Sequence, residues 1–163
     1  YGPMVHARLI PGMENSGKLV TLVRQKAKKT GEELGKSLVL VDGSPGIGCP
    51  VIASIADIDA SIVVVEPTLS GIHDLKRALE LLEHFKIRPY VVVNKSDINM
   101  ENTRKIDDFC KEKELVNLGH IPFDMEVTRA MVKGEPIVQY KPEAPAAKAI
   151  KTIWETFSTH LGH

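Results

Sequence analysis

Short apolar runs recur along the chain and predict the strands of a sheet. They occupy residues 38–41, 61–65, 90–93 and 116–121, and a further short strand is predicted at 5–10. The runs lack the strict alternation of a half-exposed strand, and continuous apolar stretches are typical of parallel strands covered on both faces. The pattern therefore indicates a sheet buried between layers.

Between these runs, apolar residues return every three or four positions, which is the spacing of amphipathic helices. The clearest case begins after Thr68 or Ser70 and carries Ile72, Leu75 and Leu79 on one side. Other helices are predicted from residue 15 or 16 to the two glycines at 31 and 35, and at 51–58, 101–114, 126–132 and 146–161. Strands that alternate with helices pair in parallel through right-handed crossovers. We expect a layered α/β domain with a mostly parallel sheet flanked by helices.

Each of the four main runs ends at a polar side chain. These are, in chain order, Asp42, Glu66, Asn94 and, after a short loop, Asp124. In open α/β sheets, ligands bind outside the carboxyl ends of the strands. We therefore expect the four side chains to share one edge of the sheet and to form the binding site.

Two of the loops at this edge have a composition that suits a nucleotide. Residues 42–50 are rich in glycine and proline, and Gly46 allows the backbone to approach a phosphate or a metal-bound water closely. In the second loop, the Asn94 amide can read a purine edge, the Lys95 stem can cover the ring, and Asp97 can accept hydrogen bonds from guanine. The alternatives are a tight βα turn capped by Asp42 and a helix entry capped by Asp97.

Length, charge and cysteine content exclude some classes of protein but do not indicate a function. A chain of 163 residues is most simply one domain, and its net charge of zero gives no overall attraction to nucleic acid or to an anionic membrane. From the sequence we expect neither a signal peptide nor a transmembrane segment, and the two cysteines are too few for a disulfide framework. A cytoplasmic location is the expectation. Because the chain begins at Tyr1 within an apolar stretch, we expect it to be part of a longer protein.

Two further features carry candidate chemistry. Ser16-Gly17-Lys18 matches only the end of a phosphate-binding loop, so it is interpreted as a helix start with Lys18 as an auxiliary phosphate contact. Cys49 lies among glycines and prolines, where a thiolate would be a soft-metal ligand; the alternative is a small residue packed under the loop. Cys110 is predicted to lie in the core, and the histidines show no zinc-binding spacing.

Taken together, residues 41–46 (Val-Asp-Gly-Ser-Pro-Gly), 66–68 (Glu-Pro-Thr) and 94–97 (Asn-Lys-Ser-Asp) resemble the MinD/ParA/Mrp group of P-loop ATPases. The similarity covers nearly the whole chain and is greatest to MinD-like ATPases with an inserted ferredoxin domain. It implies ATP and Mg²⁺ as ligands, a homodimer, and a client or iron–sulfur protein as partner. It further implies site roles for Asp42 (Mg²⁺ through water), Gly46 (γ-phosphate), Asn94 (base), and Pro122 and Asp124 (the loop over adenine).

The chain departs from that group in lacking the amino-terminal phosphate-binding loop and the ferredoxin cysteines. The resemblance therefore implies the carboxyl-terminal part of a longer nucleotide-binding protein, inactive by itself. A related iron protein has a cluster-binding cysteine at a position similar to Cys49, which adds an iron–sulfur cluster to the expected ligands. The alternatives are a docking or dimerisation module without catalysis, a GTPase, which Asp97 favours, and a redox partner that uses Cys49.

Overall fold

Three parallel strands form the sheet, in the order β1, β2, β3. The computed structural model describes residues 2–8, 16–46 and 48–161. The elements are α1 (Ser16–Glu33), α2 (Cys49–Ile55), β1 (Ala60–Val65), α3 (Leu69–His84), β2 (Arg88–Asn94), α4 (Met100–Glu112), β3 (Val116–Ile121), α5 (Met125–Lys133), α6 (Ile137–Tyr140) and α7 (Pro145–Leu161). The layered α/β fold predicted from the sequence is confirmed.

The register places the carboxyl ends of all three strands at one edge of the sheet. Val65 at the end of β1 lies opposite Val93, and Asn94 at the end of β2 lies opposite Ile121. Parallel pairing of β1 with β2 and of β2 with β3 makes this edge common to three loops. The expected position of a ligand site in such a sheet is therefore formed.

Helices cover both faces of the sheet. Val91 and Val93 of β2 belong to one apolar cluster, which α3 and α4 complete, and this cluster includes Ile106, whose exposed fraction is 0%. Tyr90 and Val92 belong to a second cluster, completed by residues of β3 and α7. Because successive strand residues point to opposite faces, this division shows that β2 is buried between two helical layers.

Local signals set the helix ends as predicted. The Thr68 hydroxyl accepts a hydrogen bond from the Gly71 N–H at 2.9 Å and caps α3. The helix α1 ends with Gly35 at a φ of 61°, while the Lys36 N–H reaches back to the Gly31 carbonyl at 2.8 Å. Glycine adopts this left-handed conformation at little cost, so Gly35 and not Gly31 ends the helix.

The strand predicted at residues 38–41 is wrong, since that segment has no strand pairing in the structure. Leu40 there is 76% exposed. A strand needs a neighbour for its backbone N–H and C=O groups, and this segment has none in the part of the chain that the structure describes. Residues 5–8 likewise form no strand, and positions 9 and 10 of that prediction lie outside the described residues. The short helix α6 was not predicted.

The helices α1 and α2 form a pair beside the sheet. The Arg24 guanidinium donates a hydrogen bond to the Ala53 carbonyl at 2.9 Å, and Lys28 Nζ lies 3.5 Å from Asp57 Oδ2. A cavity of about 1190 Å³ separates residues 37–46 from β1. None of the helices within the described ranges has the length and apolar character needed to cross a bilayer.

Candidate functional site

The loops after β1 and β2 are joined by an ion pair at the carboxyl edge of the sheet. Lys95 Nζ lies 2.7 Å from Glu66 Oε1, and both side chains are 41% exposed. Lys95 has a φ of 51°, a left-handed conformation that is uncommon for a residue with a side chain. The Asn94 side-chain oxygen accepts a hydrogen bond from the Lys95 N–H at 3.0 Å, which stabilises this turn and fixes the Asn94 amide.

Asp97 joins the loop after β2 to the loop after β3. Its Oδ1 accepts a hydrogen bond from the Phe123 N–H at 2.7 Å. The Ser96 N–H donates to the Ile121 carbonyl at 3.0 Å, so two contacts hold these loops together. The capping role considered for Asp97 belongs to Asn99, whose side chain caps α4. The structure thus gives the Asp97 carboxylate a contact that sequence reasoning did not foresee.

The Asp124 carboxylate accepts hydrogen bonds at the amino ends of two helices, α5 and α7. Its Oδ1 accepts a hydrogen bond from the Glu126 N–H at 2.9 Å and caps α5. Its Oδ2 lies 3.3 Å from the Ala146 N–H at the start of α7. Because Asp97 and Asp124 flank the loop that contains Pro122, which is half-buried, the two carboxylates fix the position of that loop.

Two buried polar side chains of α4 hold the loops after β1 and β2 at the carboxyl edge of the sheet. Asn102 donates its side-chain N–H to the Pro67 carbonyl at 3.1 Å, and the Thr103 hydroxyl donates to the Ser96 carbonyl at 2.7 Å. Both side chains are buried. Sequence reasoning missed them, although both lie on the face of α4 that carries Ile106 and Cys110, three or four and seven or eight positions later, and this spacing would have been the signal.

Asp42 and Gly46 lie on the wall of the 1190 Å³ cavity together with Glu66. Asp42 and Gly46 are exposed, and Gly46 has a φ of 92°, which a residue with a side chain would adopt only under strain. The structure therefore brings Asp42, Gly46 and Glu66 to one cavity. The Glu66–Lys95 pair connects this cavity to the loops that hold Asn94, Asp97 and Asp124.

Lys18 lies in the first turn of α1, and Cys49 is the first residue of α2. A Cβ atom on Gly17 would be 3.5 Å from the Cys49 carbonyl oxygen, so the first turn of α1 touches the loop that follows Asp42. Lys18 and Cys49 are both exposed; the alternative that Cys49 packs under the loop is wrong. In the described part of the chain, no group of three or more His, Cys, Asp or Glu side chains could hold a metal ion by itself.

The two thiols differ in accessibility, which gives a first prediction. Cys110 is 1% exposed, and burial, with a smaller effect of Asp107, raises its pKa to about 11. At pH 8 only about one thiol in a thousand would then be ionised. We expect a thiol reagent at pH 8 to modify Cys49 quickly in the native protein and Cys110 only after urea is added. Mass spectrometry of the modified protein measures both, and modification of native Cys110 at the rate of Cys49 would contradict the burial.

Comparison with known protein families gives a match over residues 34–158 to the family described as the NUBPL iron-transfer P-loop NTPases of the ParA group. An uncharacterized protein of Methanocaldococcus jannaschii is 30% identical over 154 residues, which are 94% of this chain and 50% of that protein. The iron–sulfur cluster carrier protein of Pyrococcus furiosus is 33% identical over 136 residues, which are 76% of this chain and 45% of the carrier.

Solved structures with the same fold include MinD proteins. The MinD cell division protein of Aquifex aeolicus matches with a TM-score of 0.68 and 25% identity, over 90% of this chain and 61% of its own. MinD of Pyrococcus horikoshii, solved with Mg-ADP, matches with a TM-score of 0.72 and 19% identity, over 91% of this chain and 58% of its own. The chain spans about half the length of the curated relatives that it matches.

Proposed function

The chain belongs to the ParA family of P-loop NTPases, and from this premise we propose that it is the carboxyl-terminal part of a longer MinD-like ATPase whose Mg-ATP site includes the carboxyl edge of this sheet. The observation that carries the proposal is the placement of Asp42, Gly46 and Glu66 on one cavity, linked through Lys95 to Asn94. The complex of Pyrococcus horikoshii MinD with Mg-ADP supports the choice of ligand.

The residues on the cavity fit a magnesium ion held through water. Mg²⁺ prefers oxygen ligands and retains several of its waters, so one or two carboxylates are enough. Asp42 is an exposed carboxylate on the cavity wall, which suits a hydrogen bond to a metal-bound water. When bound, the ion would neutralise charge on the phosphates during hydrolysis.

The proposal gives each candidate residue a role. Asp42 would accept a hydrogen bond from a water on the magnesium ion, and Gly46 would offer a backbone N–H to the γ-phosphate, which water attacks in the hydrolysis. Asn94, whose oxygen is already held by the Lys95 N–H, reads the base with its NH₂ group. Lys18 and Lys95 add positive charge near the phosphates and the ring, and Pro122 contacts the adenine.

In this proposal Asp97 and Asp124 act on the base indirectly. The Asp97 carboxylate accepts from the Phe123 N–H, and Asp124 accepts from backbone N–H groups of α5 and α7. Both therefore position the loop that contains Pro122. A carboxylate engaged in this way is less suited to accept the two hydrogen bonds of a guanine edge, so ATP is favoured over the alternative substrate GTP.

The test compares two asparagine variants in the longer protein that contains this chain. Asn94→Ala removes the group proposed to read the base, and we expect the Kd for ATP to rise about tenfold, which is the effect of one or two hydrogen bonds. Asn117→Ala is the matched control, because Asn117 lies near the start of β3 and bonds to Asp107 at 2.7 Å. Titration calorimetry with ATP and GTP, each with Mg²⁺, measures the four affinities of the two variants.

Equal ATP affinity in the Asn94 and Asn117 variants would contradict the role of Asn94. Tighter binding of GTP than of ATP by the parent protein would favour the GTPase. Micromolar ATP binding by these 163 residues alone would contradict the view that the rest of the site lies elsewhere in the protein. If the longer protein binds no nucleotide, the ATPase proposal is contradicted and the alternative of a docking or dimerisation module is supported.

A second candidate function is transport of an iron–sulfur cluster, because a carrier protein is among the relatives and Cys49 is exposed. One thiol does not hold a cluster, so Cys49 would need cysteines from a second copy or from the rest of the protein. Iron analysis and visible absorbance of anaerobically purified protein test it. Loss of the iron in Cys49→Ser is expected; protein that contains no iron contradicts the idea.

A further inference from the structure

The helix α5 carries apolar side chains on two faces. Its inner face packs Val127 and Ala130 against Ile137 of α6 and residues of α7. On the outer face, Met131 is 73% exposed and Val132 is 84% exposed. Single apolar residues are common on protein surfaces, but neighbouring ones beside a groove mark a site of contact with another molecule. The packing of α5 therefore accounts for its inner face and leaves the outer apolar residues without a structural role in the described chain.

A groove of about 280 Å³ lies beside this outer face, between α5 and α6. Thr128, Arg129, Val132 and Lys133 line it from α5, and Tyr140 lines it from α6. Lys133 Nζ lies 4.9 Å from the centre of the Tyr140 ring, so the carbon stem of the lysine covers part of the groove wall. The part of the lining that solvent reaches is almost wholly apolar. Tyrosine, arginine and apolar side chains in such a patch are typical of the centre of a protein interface.

The charges around the groove are mainly positive. Glu126 pairs with Arg129 and also with Lys141, whose Nζ lies 3.3 Å from Glu126 Oε1. The Glu126 side chain is 16% exposed, whereas those of Arg129 and Lys141 are 62% and 53% exposed. Lys133 is also exposed, and Glu135, the next carboxylate along the chain, does not line the groove. Three cations therefore face solvent around the groove, and the one carboxylate among them is largely covered.

We propose that this groove binds an amphipathic helix of a partner protein, with its apolar side chains in the groove and its acidic side chains against the three cations. Helix-in-groove binding uses apolar residues three and four positions apart, and acidic residues beside them complement the cations. The helix α5 has 9 residues and is about 14 Å long, so about two to three turns of the partner are enough to cover it. The proposal goes beyond the ATPase, because none of the lining residues belongs to the proposed Mg-ATP site.

An anionic membrane fits the same charges but not the same shape. Helices that lie on a bilayer present a wide apolar face along their length. On α5, Thr128 and Arg129 lie one turn from Val132 on the exposed side, so the outer apolar face is short. The apolar lining also lies between two helices, where the side chains of a peptide can enter and a flat lipid surface cannot. The structure therefore favours a peptide segment.

Selection of peptides against the longer protein that contains this chain tests the proposal. The probe is a phage-displayed library of random peptides of about 12 residues, which is roughly three helical turns. We expect the enriched peptides to have apolar residues at helical spacing with Asp or Glu beside them. Fluorescence anisotropy of one enriched peptide, made synthetically, then measures the Kd for the parent protein and its variants.

Lys133→Glu and Lys113→Glu form a matched pair of variants. Lys133 is the last residue of α5 and Lys113 follows the last turn of α4, and both are exposed. Each substitution puts a carboxylate at the carboxyl end of a helix, so an effect on stability would be similar in both. We expect the peptide Kd to rise at least about tenfold in Lys133→Glu and to stay within about twofold of the parent in Lys113→Glu. Val132→Ser, which removes apolar surface without a change of charge, is expected to raise the Kd about fivefold.

The outcomes separate the peptide from other occupants of the groove. No enrichment, enriched peptides without acidic residues, or equal affinity for the Lys133 and Lys113 variants overturns the proposal. Flotation of the longer protein with vesicles of phosphatidylglycerol and phosphatidylcholine, lost in Lys133→Glu, overturns the peptide in favour of a membrane. A dimer of the longer protein that Lys133→Glu dissociates overturns it in favour of a second copy. Peptide binding by a longer protein that binds no ATP supports the groove and contradicts the ATPase, so the two proposals fail independently.

Discussion

Replacing Asp42 with alanine is expected to lower ATP hydrolysis by the longer protein at least about 100-fold while the fold is retained. Electrostatic groups aimed at charge that develops in a transition state commonly contribute effects of this size. Asp42 is exposed and lies outside the apolar clusters of the sheet, so its removal takes no packing from the core. Steady-state phosphate release with saturating Mg-ATP measures the rate, and circular dichroism checks the fold.

Asp59→Ala is the matched control for this experiment. Asp59 is also an exposed carboxylate on the same cavity, but it precedes β1 and therefore lies at the opposite edge of the sheet from Glu66. A variant at position 59 should hydrolyse ATP at the parent rate. If Asp42→Ala also retains the parent rate, Asp42 has no part in the reaction; if both variants lose activity, the cavity acts through its total charge.

Most helices and strands of the fold are determined by interactions between residues close in the sequence, so the sequence predicts them. The strand β3 was placed at residues 116–121, as observed, and the helix after Thr68 begins with the predicted cap. Apolar periodicity and caps act within a few residues of each other, so they can be seen in the sequence. The order of parallel strands follows from their alternation with helices, and the shared edge with Glu66 and Asn94 follows from that order.

The features that the sequence predicted wrongly or not at all depend on interactions between distant parts of the chain. Residues 38–41 have the composition of a strand but depend on a neighbour that the described chain does not provide. The Asp97 contact with the Phe123 N–H joins residues 26 positions apart, and no spacing in the sequence indicates it. The sequence therefore singled out Asp97 and Asp124 as candidates, while only the structure shows which backbone groups these two carboxylates hold.

Truncation of Ile106 tests whether the packing of α4 on β2 holds this site in place. Ile106 is fully buried in the cluster that contains Val91 and Val93, and Ile106→Ala should lower the free energy of unfolding by about 3 kcal/mol. Ile98→Ala is the matched control, since Ile98 is 50% exposed and should cost less than about 0.5 kcal/mol. Urea denaturation followed by circular dichroism measures both, and equal losses would contradict the packing.

The same variant tests whether the stability of α4 affects the loops at the carboxyl edge of the sheet. Asn102 and Thr103 precede Ile106 on α4 and hold the carbonyls of Pro67 and Ser96. Because the helix is the common support of these contacts, partial loss of its packing should loosen the loops after β1 and β2 before the whole domain unfolds. We expect faster amide exchange at Lys95 and Ser96 in Ile106→Ala than in Ile98→Ala under native conditions. Unchanged exchange there would show that the loops keep their positions without the helix.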